Sequence, residues 1–92
     1  MSEARTATVE VPNRLGLHAR AAAKLVHLAS RFESQIEVSK DGRIADAKSI
    51  MGVLLLCCQQ GAKITFRALG VDADAALAAL CALVSGGFGE GQ

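Results

Sequence analysis

The sequence has no tryptophan, no tyrosine and only three phenylalanines. A core built on large rings is therefore excluded, and few aromatic faces remain on which nucleic acid bases could stack. Charge of one sign is also lacking, since ten Lys and Arg stand against nine Asp and Glu, a formal net charge of +1. So even a balance creates no field able to hold a phosphate backbone or an anionic membrane, and neither is expected as a partner. Long apolar runs are missing as well. "MSEARTATVEVPN" contains no stretch of signal-peptide length, and "IMGVLLLCC" is far too short to span a bilayer, so a cytoplasmic location is expected. Cysteines number three, with Cys57 and Cys58 adjacent and Cys81 apart, all in apolar segments read as helical. Reduced thiols serving as small hydrophobes fit that pattern better than disulfides. The vicinal pair lacks the two-residue gap of a zinc or redox motif. His27 lies nine residues after His18 and points to the opposite side of a helix, as a solvated polar-face residue. No metal or organic cofactor is expected.

What is present is a vocabulary of Ala, Leu, Val and Ile spread over ninety-two residues, enough for one domain (1–92) with one modest core. "RTATVEV" alternates, with Ala7, Val9 and Val11 on one side and Thr6, Thr8 and Glu10 on the other, which predicts a half-buried strand ended by Pro12-Asn13. From Ala19 to about Phe32 the apolar positions Ala22, Leu25, Val26, Ala29 and Phe32 recur at helical steps. "SQIEVS" alternates again, and Asp41-Gly42 supplies a hairpin turn into "RIADA". A short helix is expected to open at Ser49 and close before Gly61. "AKITFRAL" reads as a fourth strand with Ile64, Phe66 and Ala68 inward. The Ala-rich run after Val71 reads as a last helix, capped by Asp72 and stopped by Gly86. Residues 87–92 are expected to form a loose tail. Strands with one polar face need cover on the other face only, so the order β-α-β-β-α-β-α predicts an α+β open-faced sandwich, a four-stranded antiparallel sheet with three helices on one face.

The stretch "GLHARAAAKLV" opens a helix without Ser, Thr, Asp or Asn at the capping place. The free N–H groups of its first turn are left for water or for an anion from outside. An imidazole titrates near pH 6.5, so at neutral pH most of it is a neutral nucleophile. His18 therefore combines a nucleophile with a helix start that favours negative charge, and Arg20 offers a planar fork suited to phosphoryl oxygens. Phosphoryl transfer asks for positioning and charge stabilisation above all. Taken by itself, His-x-Arg does not mark phosphate chemistry, because a lone histidine near a helix start is most often an ordinary surface residue.

"NRLGLHARAAAKLV" resembles the active-site stretch of the HPr phosphocarrier family of the phosphoenolpyruvate-dependent phosphotransferase system. "ADAKSIMGVLLL" resembles that family's second signature, and the closing "ALVSGGFGE" is similar to its nitrogen-related, NPr-type branch. The resemblance implies that His18 accepts a phosphoryl group on Nδ1 from phosphorylated enzyme I and passes it to an enzyme II A-type acceptor, with Arg20 binding the phosphate. It implies that Ser49 occupies the position phosphorylated, in some members, by an HPr kinase/phosphorylase. The implied protein is a monomeric carrier and not an autonomous enzyme. Two departures stand out: many members have proline where this chain has Ala21, and "NRLG" replaces a shorter "NG", so no role passes to Asn13.

Ser49 is also sufficiently explained as a helix cap, and a phosphate there would add nearly two charges beside any docking surface. The short helix behind it is too apolar for its length. Val53, Leu56 and Cys57 suffice for a stripe against the sheet, which leaves Ile50, Met51, Leu54 and Leu55, some of them expected to be exposed; Ile50, Met51 and Leu54 are the candidate contacts for a partner, with Arg20 and Lys24 supplying charge at the edge. The rival reading is a regulatory binding module of the same fold, controlled by an HPr kinase at Ser49, and a metal-handling domain built on the vicinal cysteines is a distant third.

Overall fold

Alternation of apolar and polar residues decides which face of the sheet is covered. The computed structural model describes residues 3–89 and orders them as β1 (Arg5–Glu10), α1 (Ala19–Ala29), β2 (Gln35–Lys40), β3 (Arg43–Asp46), α2 (Ile50–Leu55), β4 (Lys63–Leu69) and α3 (Ala73–Ser85), followed by a short turn, Gly87–Gly89. The sheet runs β1-β4-β2-β3 with every pairing antiparallel. In β4, at the centre, Ile64, Phe66 and Ala68 are fully buried while Lys63 and Arg67 are exposed. The polar face stays open to water, where Thr8 and Thr65 pair across strands with hydroxyls 2.8 Å apart and Arg67 lies 3.6 Å from Glu37. Such exposed contacts add little stability. All three helices cover the other face: α3 packs on β1 and β4, α2 on β3, and α1 against both helices. The open-faced four-stranded sandwich expected from the sequence is the architecture observed.

Helix ends are where expectation and structure part. The first helix stops at Ala29 rather than Phe32, and Lys48 donates to the Phe32 carbonyl at 2.8 Å. The second stops at Leu55, far short of Gly61, because two cations from the β2–β3 hairpin hold its last carbonyls. Lys40 Nζ donates to the Cys57 and Leu56 oxygens at 2.8 and 3.4 Å, and Arg43 reaches the Leu55 oxygen at 3.5 Å. Cations suit that end of a helix, where unsatisfied carbonyls concentrate. Cys57 then turns the chain through a left-handed φ of 54° and is exposed, so it does not join the buried stripe; Cys58, beyond the helix, is buried. Of the three cysteines only Cys81 lies in a helix.

Asp72 precedes α3 as expected, but its carboxylate does not cap that helix. It reaches across to the end of the α1–β2 connection and accepts from the Glu33 and Ser34 amides, at 2.9 and 3.0 Å, and from the buried Ser34 hydroxyl. That hydroxyl foremost, then the Glu33 amide, holds the Asp72 carboxyl below its ordinary range.

The loose tail is corrected over residues 87–89; residues 90–92 lie outside the described residues. Gly87, Phe88 and Gly89 have φ of 68°, 59° and 73°, a left-handed turn that glycines on either side of Phe88 make accessible. It swings Phe88 into the core, where it is 1% exposed, and Lys24 Nζ clamps its carbonyl at 2.7 Å.

Phe88→Ala should lower unfolding stability by about 3 kcal/mol in a urea titration, the cost of emptying a buried aromatic site; a loose tail would show almost none. Asp72→Asn should destabilise the protein at pH 7. Because the native carboxyl titrates below its unfolded value, its contribution is present above about pH 4 and is lost as pH falls through the native value. The gap in melting temperature between wild type and Asp72→Asn should close on acidification.

Candidate functional site

The residues before α1 leave His18 little freedom. Pro12 ends the first strand segment, and the Asn13 side-chain amide, in a buried position, donates to the Gly16 carbonyl at 2.7 Å while the Gly16 amide donates back to the Asn13 carbonyl at 3.0 Å. Gly16 has a φ of 66°, and a Cβ there would stand 2.5 Å from the Cys58 carbonyl oxygen, so both conformation and space require glycine. The next residue, Leu17, is buried and donates its amide to that same Cys58 oxygen at 2.8 Å. One step on, the chain enters the helix at His18. Asn13 is a positioning residue that the sequence reading set aside; its hold on the Gly16 carbonyl, three residues further on, has no signature in the local sequence.

His18 is itself the N-cap, with extended backbone (φ −77°, ψ −178°), and its Nδ1 accepts from the Arg20 amide at 3.2 Å. The expectation that no side chain would cap this helix is corrected: an imidazole nitrogen does what an oxygen usually does. An accepting Nδ1 presents its lone pair there, which puts the ring proton of the neutral form on Nε2. The ring is half-buried and Arg20 is exposed. Ala21, buried at the third position from the cap, accommodates the helix without proline.

Ser49 caps α2, its Oγ accepting from the Gly52 amide at 3.1 Å, and is half-buried. Beyond it Ile50 and Met51 are 44% and 66% exposed, whereas Leu54 packs against the core and Leu55, left outside the chosen partner contacts, is 66% exposed. Between α1 and α2 runs a shallow groove lined by Arg20, Ala23, Lys24, Val26, His27, Ser30 and Ile50. The structure thus brings Arg20, Lys24 and Ile50 together and adds His27 to them. Lys24 has a task inside the fold as well, through Phe88. Among the described residues no group of three or more His, Cys, Asp or Glu could hold a metal ion, and no helix is long and apolar enough to cross a membrane.

Gly16→Ala should cost about 2 kcal/mol in unfolding stability, from left-handed strain plus the clash with Cys58, and should speed hydrogen exchange at the Leu17 amide. Gly61→Ala is the control: its φ is 89°, but nothing lies within 4 Å of the added Cβ. It should lose about 1 kcal/mol from strain alone and leave the Leu17 amide protected.

Known proteins agree with this geometry. The chain is 51% identical to the phosphocarrier protein HPr of Cupriavidus necator, over 87% of this chain and 90% of that one. It is 49% identical to the phosphocarrier protein NPr of Shewanella violacea, over 89% and 90% of the two chains. Its structure is similar to the crystal structure of HPr from Thermoanaerobacter tengcongensis with a TM-score of 0.92 at 44% identity, covering 96% of this chain and 99% of that one. Residues 5–86 match the family described as "PTS HPr component phosphorylation site", and so the chain belongs to the HPr family of phosphocarrier proteins of the phosphotransferase system.

Proposed function

We propose that His18 Nδ1 accepts a phosphoryl group from phosphorylated enzyme I, itself loaded from phosphoenolpyruvate, and delivers it to a histidine of an enzyme II A-type acceptor in the cytoplasm. The observation that carries this reading is the Nδ1 lone pair held at a helix N-terminus beside the exposed Arg20. In each transfer one N–P bond breaks on the donor imidazole while another forms at the attacking imidazole, in line, and the electron pair of the broken bond returns to the donor nitrogen. The protein's share of the work is electrostatic and positional. When the phosphoryl group arrives, its oxygens replace Nδ1 as acceptors for the Arg20 amide, and the helix dipole gains an anion at its favourable end. The guanidinium of Arg20 supplies a mobile countercharge. Nothing here turns over by itself, since both reactions need a second protein to bring its histidine in line.

The partner is placed on the exposed side of α1 and α2, with Ile50 and Met51 as apolar contacts and Arg20 and Lys24 as charged ones. Leu54 contributes from beneath, as support for that surface. The carrier acts as a monomer, exchanging partners on this one face. Ser49 is a second, regulatory position, where an HPr kinase/phosphorylase would place a phosphate that keeps the Gly52 amide as a donor and sets negative charge beside Ile50 and Met51, opposing docking.

His18→Ala should abolish acid-labile label from enzyme I and phosphoenolpyruvate, and Arg20→Ala should slow labelling by about 10- to 100-fold while leaving it on His18. Full labelling of His18→Ala would refute the assignment. Phosphosite mapping after incubation with an HPr kinase separates the regulatory rival, which requires acid-stable label on Ser49 and little on His18.

A further inference from the structure

The groove between α1 and α2 is walled by cations and floored by apolar side chains. Arg20 and His27 stand seven residues apart, two turns along one side of α1, with Lys24 between them and Ala23, Val26 and Ile50 beside them. The ammonium of Lys24 is drawn to the Phe88 carbonyl at one edge. The ionisable groups around His27 are few. On α1 they are Arg20 and Lys24, with Arg31 two residues beyond its end; α2 has none from Ile50 to Leu55 and the turn Gly87–Gly89 has none, while α3, which also packs on α1, carries Asp74 and Cys81, neither of which lines the groove. Just before α2, the Asp46 carboxylate accepts from the Lys48 amide and the Lys48 ammonium is engaged by the Phe32 carbonyl. No carboxylate lines the groove. Its complement is a surface that presents a carboxylate beside an apolar side chain, and the occupant that fits is the enzyme I-type phosphotransferase that loads His18, because the groove starts at Arg20, two residues away.

We propose that His27 makes this docking proton-dependent: its imidazole takes up a proton from solvent as a carboxylate of the donor protein closes over the groove. The inference rests on the docking reading above and adds to it a regulator of affinity. A carboxylate within hydrogen-bonding reach favours the protonated ring, so binding consumes a proton and strengthens as pH falls. Arg20 and Lys24 hold their charge throughout, so only this part of the attraction varies with pH.

The test is the Kd for full-length, unphosphorylated enzyme I at pH 6 and pH 8, with His18→Ala in every sample so that its imidazole adds no titration. Three versions are compared: His27 intact, His27→Lys and His27→Gln. His27 is exposed, so melting temperatures should match. With His27 intact, binding should be about sixfold tighter at pH 6 than at pH 8, beyond any change common to all three, as expected of a carboxylate that raises an imidazole pKa by about one unit. His27→Lys should bind tightly and His27→Gln weakly, neither showing that extra response. The same pH response in all three overturns the role of His27 and leaves docking intact; absence of binding by every version at both pH values overturns the docking reading and this inference with it.

Discussion

One backbone hydrogen bond, from the Leu17 amide to the Cys58 carbonyl, fixes where His18 and the start of α1 can be. It ties the loop before α1 to the loop after α2, continuing the contact that the β1–β4 pairing extends through the Val11–Gly61 and Val11–Ala62 backbone bonds. Gly16 allows the approach, since any side chain would occupy the space of the accepting oxygen. The buried Leu17 side chain then anchors the spot from inside, and His18 has only one place to go. The exposed Cys57 and the Lys40 ammonium belong to the same device. Lys40 turns the chain out of α2 early enough for the Cys58 carbonyl to face the His18 loop.

Under the proposed function, the cap on α1 would serve structure and chemistry with the same atoms. A serine oxygen would satisfy the Arg20 amide but could not exchange a phosphoryl group as a nitrogen can. Imidazole Nδ1 caps less closely, at 3.2 Å, and gives up the amide without leaving a buried donor unsatisfied, because the ring is only half-buried and an incoming phosphoryl oxygen would take its place. A tightly capped nitrogen would lower the energy of the unloaded carrier and weaken its readiness to react; a carrier benefits from small differences between loaded and unloaded states in both directions. The loose cap suits that need.

The strands were legible because one face of the sheet is wet: alternation in "RTATVEV" and "AKITFRAL" follows directly from burying every second side chain. The register of α1 was legible for the same reason. What could not be read were contacts made by long polar side chains to distant backbone. Nothing in the local sequence around Leu55 or Cys57 announces that Lys40 and Arg43, from another hairpin, will take the last carbonyls of α2. Asp72 illustrates the same limit, occupying the capping place while spending its oxygens on Glu33 and Ser34. Phe88, flanked by glycines, looked like loose chain by composition; its burial depends on a left-handed turn and on Lys24 crossing 64 residues of sequence. At the site, His18 and Arg20 were singled out by resemblance to the HPr family, since their spacing alone does not mark them, whereas the hold of Asn13 on the Gly16 carbonyl is not disclosed by composition.

These assignments explain how a chain of net charge +1 can present a cationic face. Lys40, Arg43 and Lys48 are committed to backbone carbonyls at or just beyond the ends of the first two helices, and Arg67 stands by Glu37 on the far side of the sheet. Arg20 is left on the helical face beside His27, with no carboxylate among the groove residues to neutralise it. With the remaining charges balanced, the field of that face is screened within about 8 Å at physiological ionic strength. Partners are therefore selected at contact rather than steered from a distance. Affinity must come from a small apolar patch and a few screened charges, which favours brief complexes. Brief complexes are what successive exchange of one phosphoryl group between two partners on one face requires, since a partner that stayed would block the next.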